Sequence, residues 1–139
     1  MDTTFIGIRD ARTDEAAHVL EFLQPFVHVE QLLPRTLDEI RLLTRHGFIA
    51  EQAGQLSGFA AIEIYSKKMA ELQCLAVSPN CRGQGVGKRL IEQCILRARR
   101  EGIKELMAIT SSERPFVGCG FDYALPHQKR ALFIQTNAP

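Results

Sequence analysis

A short glycine-rich, basic segment carries the clearest chemistry in this sequence. Residues 78–90 read SPNCRGQGVGKRL, with glycines at Gly83, Gly85 and Gly87 and cations at Arg82, Lys88 and Arg89. Glycine lets the backbone adopt positive φ and brings bare amides close to a ligand. The amphipathic segment that follows predicts a helix, whose first N–H groups and positive dipole end favour an anion. The segment is therefore predicted to bind a pyrophosphate.

Two common phosphate-binding motifs do not fit this spacing. A Walker A loop would need glycine five residues before Gly87, where the sequence has Arg82, and a hydroxyl residue after Lys88, where it has Arg89. A dinucleotide fingerprint has the pattern G-x-G-x-x-G within an early βαβ unit, whereas these glycines follow G-x-G-x-G. A plain glycine-rich turn with solvated charges remains the alternative interpretation.

Hydrophobic periodicity and turn signals predict the elements that position this segment. The order is β-α-α-β-β-β-α-β-α-β-β, a mixed sheet covered by helices, of the α/β (α+β) class. Strands are predicted at residues 5–9, 47–52, 56–65, 69–77, 104–110, 121–124 and 130–135, and helices at 13–25, 36–46, 85–100 and 112–117. Thr13 is expected to cap the first helix and Pro25 to end it, and Thr36 and Glu39 form a capping box before the second.

Composition limits the class of protein. The 139 residues suit a single domain over positions 1–139, and 45% hydrophobic with 24% charged residues is ordinary for a globular protein. A net charge of +1 gives no general field for nucleic acid, and no apolar run is long enough to predict a membrane helix. The four cysteines form no CxxC pair and suggest neither a disulfide framework nor a metal site. With no signal peptide visible at the start, we expect a cytoplasmic protein.

The segment at residues 82–87, RGQGVG, matches the R/Q-x-x-G-x-G/A motif of the GNAT N-acetyltransferases. The preceding ELQCLAVSPNC is similar to the fourth strand and loop of that family, and the resemblance extends over nearly the whole chain. It implies the GNAT fold and acetyl-CoA as co-substrate. The backbone of Leu75, Ala76 and Val77 would pair with the pantetheine arm and polarise the thioester carbonyl. The pyrophosphate would be held by Arg82, Gly83, Gln84, Gly85, Val86, Gly87 and Lys88.

The resemblance also suggests which residues do chemistry. Glu71 matches the position of a general-base glutamate in the family, with an edge or surface residue as the alternative interpretation. The family's usual general acid is a tyrosine, but this position holds Phe116, which is expected to pack against the coenzyme. Solvent, Ser112 or Tyr123 is left to protonate the departing thiolate. Cys74 alternates away from Glu71 on a regular strand, although a bulge would change that, and it is expected to be a core residue.

The acceptor is less well defined by the sequence. Within the family, LLPRTLDEI, AELQCLAVSP, Phe116 and the tail LPHQKRALF resemble the acetyltransferase domain of N-acetylglutamate synthases. That likeness makes Arg35 a candidate to bind a substrate carboxylate, although Arg35 can also be a solvated charge. After Phe133 the tail departs from that group's pattern. The expected acceptor is therefore a small amine or amino acid, with a protein amine left open.

Two alternative functions and one assembly state are also compatible with the sequence. A non-catalytic, regulatory coenzyme A-binding domain is the alternative function, supported by the missing tyrosine. An adaptor that meets an acidic partner through the basic helix Lys88–Arg100 is a weaker alternative. A homodimer through the late strands, including the ALFIQT run, is compatible with the sequence.

Overall fold

A five-stranded mixed sheet forms the centre of the protein. The computed structural model describes residues 5–123 and 132–136. The strands are β1 (Gly7–Asp10), β2 (Gly47–Gln52), β3 (Gln55–Ile64), β4 (Met69–Val77) and β5 (Glu105–Ala108), and the helices are α1 (Ala16–His28), α2 (Leu37–Leu43), α3 (Val86–Arg100) and α4 (Arg114–Val117). The strands lie in the order β1-β2-β3-β4-β5, antiparallel except for the parallel β4–β5 pair. The predicted mixed sheet flanked by helices is confirmed.

The helices cover both faces of the sheet and divide the core into two clusters. On one face α1 and α2 pack against the sheet, with Val19, Ile40 and Phe59 fully buried. On the other face α3 contributes the fully buried Leu90 and Ile91. β4 is thus covered on both sides, which explains its nearly continuous apolar sequence.

Local turn and cap signals set several element boundaries as predicted. Ala53 and Gly54 join β2 to β3 with φ values of 52° and 76°, the positive pair that a tight two-residue hairpin favours. Thr36 Oγ1 accepts a hydrogen bond from the Glu39 N–H at 3.1 Å, and Glu39 Oε1 accepts one from the Thr36 N–H at 2.8 Å. The predicted capping box at the start of α2 is therefore confirmed.

Two arginines of α3 anchor this helix to the β1 side of the sheet. The buried Arg97 donates from Nη2 to Asp10 Oδ2 at 2.6 Å and lies over the ring of Phe48, 5.0 Å from its centroid. Arg89 Nη1 donates to the Ile6 carbonyl oxygen at 2.8 Å. These contacts fix the direction of α3, so its N-terminus is held beside the end of β4.

The first helix differs from the prediction at both ends. Pro25 does not end α1, which continues to His28. A proline inside a helix costs about 3 kcal/mol because it removes an N–H donor. Leu23 and Phe26 on either side are buried against the core, and this packing outweighs the local cost. At the start, Thr13 belongs to a 3₁₀ turn, Thr13–Glu15, and does not cap α1.

The C-terminal region also departs from the predicted order. Residues 121–123 and 132–135 are not in strands, so the two late strands are wrong at these positions; positions 124, 130 and 131 lie outside the described residues. Leu132, Phe133 and Ile134 are exposed in the structure. An apolar run becomes a strand only where a neighbouring strand takes up its hydrogen bonds, and none pairs with residues 132–136 within the described chain.

Neither a membrane-spanning helix nor a cluster of metal ligands is present among the described residues. Within residues 5–123 and 132–136, no helix is long and apolar enough to cross a membrane. The same ranges hold no group of three or more His, Cys, Asp or Glu side chains that could bind a metal ion.

Candidate active site

The site residues predicted from the sequence meet at one cleft of about 940 Å³ at the end of β4. Its lining includes Arg35, Glu71, Leu75, Ala76, Val77, Arg82, Gly83, Gly85, Val86, Gly87, Lys88, Ser112 and Phe116. Gln84 is absent from this lining, because its side-chain amide turns back and donates to the Asn80 carbonyl oxygen at 3.4 Å. The cleft therefore brings together predicted site residues that are up to about 80 positions apart in the sequence, from Arg35 to Phe116.

One wall of the cleft is formed where β4 and β5 diverge. Their parallel pairing ends at Leu72, opposite Ala108, whereas β4 stays paired with β3 as far as Val77. From Leu75 onward, the edge of β4 that faces away from β3 has no partner strand among the described residues. An extended ligand can add to such an edge as an extra strand, with main-chain hydrogen bonds supplying affinity.

A β-bulge at Cys74 redirects the end of β4. Two residues of β4, Cys74 and Leu75, lie opposite Ala60 of β3, and Cys74 has φ 62°, a strained value for a residue with a side chain. Leu72 belongs to the core on the α3 face, but Cys74 belongs to the core on the α1/α2 face, the face toward which Glu71 points by alternation. The alternation expected of a regular strand is therefore broken at Cys74, because the bulge adds one residue.

The predicted core role of Cys74 is confirmed. Its side chain is buried on the α1/α2 face of the sheet. Burial raises the pKa of its thiol to about 11, which keeps it protonated near neutral pH and unsuited to nucleophilic attack.

The glycine-rich turn forms the second wall. Gly83 and Gly85 have φ values of 78° and 75°, and Gly85 is the N-cap of α3. A Cβ atom built at either glycine would meet nothing within 4 Å, so the turn forms an open ledge. The first N–H groups of α3 lack intrahelical acceptors, and the exposed side chains of Arg82 and Lys88 lie beside them. This arrangement favours a negatively charged ligand.

Two side chains of this turn, those of Val86 and Arg89, contact other parts of the protein. The Arg89 guanidinium donates to the Ile6 carbonyl oxygen on the β1 side, and Arg89 does not line the cleft. Val86 is buried in the core on the α3 face, one helical turn before Leu90, so it offers the cleft its backbone N–H group.

Phe116 lines two adjoining grooves, whereas Tyr123 lines one of them. Phe116 is buried, packs edge to face on Phe121 with ring centroids 5.5 Å apart, and lines the cleft. The Tyr123 hydroxyl donates to Glu113, and Tyr123 lines an adjoining groove of about 700 Å³ beside β5 that shares Phe116 with the cleft. Tyr123 does not line the main cleft, whereas Ser112 does.

Five side chains at the other end of the cleft form a hydrogen-bonded network, here called the polar cluster: Arg35, Glu63, Tyr65, Glu71 and Gln73. The Tyr65 hydroxyl donates to Glu71 Oε1 at 2.6 Å. Gln73 Nε2 lies 3.2 Å from the same oxygen and 2.8 Å from Glu63 Oε1. Arg35 Nη1 donates to Gln73 Oε1, so Gln73 joins the guanidinium to both carboxylates.

The charges of the polar cluster are partly balanced by these contacts. Glu63 lies directly opposite Glu71 in the β3–β4 register, an arrangement in which like charges repel. The amide of Gln73 and the guanidinium of Arg35 offset that repulsion. Burial and the hydrogen bond to Glu71 raise the pKa of Tyr65 to about 12, so its phenol remains a hydrogen-bond donor near neutral pH.

Three members of the polar cluster are missed by the sequence interpretation: Glu63, Tyr65 and Gln73. One signal is present, since counting outward from the turn between β3 and β4 places Glu63 opposite Glu71. Gln73 is 7% exposed, and a polar residue within a buried strand is another signal of a built network. Which atoms these side chains reach is not visible in the sequence.

A family comparison identifies the fold. Residues 14–120 match the Acetyltransferase (GNAT) family. The chain belongs to the GNAT family of acetyltransferases. The predicted resemblance is confirmed over most of the chain, including the RGQGVG turn and β4.

Individual GNAT relatives agree with this result. An amino-acid acetyltransferase from Ralstonia nicotianae is 33% identical over 91% of this chain, which spans 29% of that relative. The structure of N-acetylglutamate synthase from Neisseria gonorrhoeae, complexed with coenzyme A and N-acetyl-glutamate, is 30% identical with a TM-score of 0.72 over 82% of this chain and 27% of that one. A Mycobacterium tuberculosis protein in complex with CoA shares the fold, with 20% identity and a TM-score of 0.77 over 86% of this chain and 73% of that one. The chain thus spans less than a third of the length of the first two proteins.

Proposed function

We propose that this GNAT domain transfers the acetyl group of acetyl-CoA to the amine of a small molecule, an amino acid. The observation that carries the proposal is a single cleft that joins an anion-binding helix start to a carboxylate, Glu71, and a guanidinium, Arg35. The relatives named for amino-acid acetylation and the structures with coenzyme A support the same assignment.

The cleft suits the coenzyme at both of its walls. The open ledge at Gly83 and Gly85 and the N–H groups of α3 fit a pyrophosphate, and the free edge of β4 fits an extended pantetheine arm. We assign to the coenzyme the backbone of Leu75, Ala76 and Val77, the turn residues Arg82, Gly83, Gln84, Gly85, Val86, Gly87 and Lys88, and the ring of Phe116. Gln84 and Val86 contribute backbone only, because their side chains face Asn80 and the core.

Glu71 is the group we assign as general base. Amines are mostly protonated near neutral pH, so an acceptor must lose a proton before its nitrogen can attack. When bound, acetyl-CoA supplies an acetyl group whose carbon bonds to that nitrogen while the carbon–sulfur bond breaks and sulfur leaves as a thiolate. Glu71 takes the amine proton, directly or through water. Ser112 or solvent returns a proton to the sulfur, since Phe116 has none to give.

Arg35 is the group we assign to the acceptor's carboxylate. Its side chain is half-buried in the cleft lining and reaches the polar cluster through Gln73. A guanidinium pairs with a carboxylate through two parallel hydrogen bonds, which gives both affinity and orientation. Arg35 and Glu71 would thus contact the two polar groups of one amino acid.

A non-catalytic coenzyme A-binding domain is the second candidate. It is favoured by Phe116, which occupies the family's tyrosine position and is buried against Phe121. It predicts coenzyme binding without turnover. The polar cluster around Glu71 favours the enzyme, because a binding domain has no use for a base held by two hydrogen bonds.

Release of free coenzyme A thiol distinguishes the two functions. The protein is mixed with acetyl-CoA and a panel of amino acids, and Glu71→Gln is assayed beside the parent. We expect turnover with at least one amino acid and a loss of about 10²-fold or more in kcat for Glu71→Gln, with acetyl-CoA binding retained. Glu113→Gln is the matched control, because Glu113 accepts from Tyr123 as Glu71 does from Tyr65, but outside the cleft. Binding without turnover for every amine would support the second candidate.

We also propose a cytoplasmic location, one domain over residues 1–139 and a homodimer. All four cysteines are free thiols, in keeping with a reducing compartment. The exposed Leu132, Phe133 and Ile134 are the surface we assign to self-association. Sedimentation at micromolar concentration tests the dimer. We expect the parent protein to sediment as a dimer and Phe133→Asp as a monomer. A monomeric parent would count against the dimer.

A further inference from the structure

We infer that Tyr65 and Gln73 are positioning residues that hold Glu71 through Oε1 alone, so that its other oxygen, Oε2, is the atom that receives the acceptor's proton. This inference rests on the proposed function for the meaning of that proton. It concerns two side chains that the motif-based assignment does not include.

The directions of the hydrogen bonds carry the inference. Tyr65 Oη lies 2.6 Å and Gln73 Nε2 3.2 Å from the same atom, Glu71 Oε1. Both of these groups are donors toward a carboxylate. Among the described residues, no donor contacts Glu71 Oε2. One oxygen of a residue that lines the cleft is therefore occupied by two donors, and the other has no donor among these residues.

The positioning residues are themselves held in place. Gln73 is 7% exposed, its carbonyl accepts from Arg35, and its amide also contacts Glu63 Oε1 at 2.8 Å and the Tyr65 oxygen at 3.3 Å. Its amide plane is thus fixed from three directions. A carboxylate bound by fixed donors loses less orientational freedom during catalysis than one that is solvated.

The test follows the Glu71 carboxyl carbon by NMR in ¹³C-glutamate-labelled protein, with the signal assigned by its loss in Glu71→Gln. We expect the Glu71 signal at neutral pH to shift in Tyr65→Phe and to shift further in Gln73→Met, because each variant removes one hydrogen bond to Oε1. Tyr123→Phe is the matched control, because it removes the chain's other tyrosine–glutamate bond and leaves the cleft intact. Tyr65 is 53% exposed, so its loss of a hydroxyl does not threaten folding.

Kinetics supply the second readout. In Tyr65→Phe we expect kcat to fall about tenfold, while KM for the amino acid and the affinity for acetyl-CoA stay unchanged. A purely structural role would change all three quantities together. An unchanged Glu71 signal in Tyr65→Phe overturns the inference. A shifted signal in a protein that acetylates no amine upholds the positioning contact and overturns the proposed function.

Discussion

The two ends of the cleft are built in different ways. The coenzyme end consists mainly of backbone: glycines with positive φ, the first N–H groups of α3 and the free edge of β4, all within residues 75–88. The acceptor end consists of the side chains of the polar cluster, which come from β3, the residue that follows it, β4 and the segment before α2. A backbone site is specified locally, whereas a side-chain site depends on how distant segments pack.

This difference determines how each end can vary. The N-terminus of a helix can bind any ligand that presents a phosphate in the right place, and only a few backbone conformations form such a site. The polar cluster can change its preference through one substitution, because each member supplies a particular atom. We therefore expect the coenzyme end to respond to backbone changes and the acceptor end to side-chain truncation.

The largest expected effect is on the backbone-built end. Gly85→Glu should weaken acetyl-CoA binding at least about 100-fold, because a side chain at φ 75° strains the N-cap and a carboxylate repels the pyrophosphate. Titration calorimetry measures this directly. Gly54→Glu is the matched control, since Gly54 has φ 76° and equally open surroundings in the β2–β3 turn. Equal losses of affinity in both variants would show that strain, not the anion site, is responsible.

A smaller effect is expected at the side-chain end. Arg35→Leu should raise KM for the amino acid about ten- to a hundredfold, the cost of losing a charge-assisted hydrogen bond, and leave acetyl-CoA affinity unchanged. Steady-state kinetics at saturating acetyl-CoA measure it. Arg41→Leu, which removes an exposed arginine paired with Asp38 on α2, should leave KM unchanged. If both arginines behave alike, Arg35 is a surface charge.

The same contrast explains how much the sequence predicts. The RGQGVG turn, the capping box at Thr36 and the β2–β3 hairpin depend on neighbouring residues, and the structure agrees with each. The predicted end of α1 at Pro25 is wrong because the burial of Leu23 and Phe26 decides the length of the helix. The face on which Cys74 lies is decided by a bulge that arises from pairing with β3. The contact of Arg89 with Ile6 is not visible in the sequence for a related reason, since it joins residues 83 positions apart. Local chemistry is legible in the sequence, but side-chain partners across strands are not.

The smallest expected effect is a difference in sensitivity to alkali. Folding raises the pKa of Tyr65 from 10 to about 12, because burial and Glu71 disfavour the phenolate. The stabilisation from this protonated phenol is therefore complete below pH 10 and is lost as the pH rises through about 12. In a Tyr123→Phe background, where Tyr65 is the remaining tyrosine, the free energy of unfolding should fall more steeply between pH 10 and pH 12 than in the double variant that also carries Tyr65→Phe. Urea denaturation measures the difference.

Phenolate absorbance in the same Tyr123→Phe protein gives the titration of Tyr65 itself. A midpoint well above 10 means that the bond to Glu71 persists in solution and that the acceptor end is organised before any substrate binds. A midpoint at 10 means that the half-exposed Tyr65 side chain is solvated and does not donate to Glu71. Gln73 is then the remaining donor to Glu71 among the described residues. The backbone N–H groups of the coenzyme end do not titrate in this range. If raising the pH breaks the Tyr65–Glu71 bond and leaves the coenzyme end unchanged, the two ends of the cleft respond independently. This can be seen without any mutation in the polar cluster.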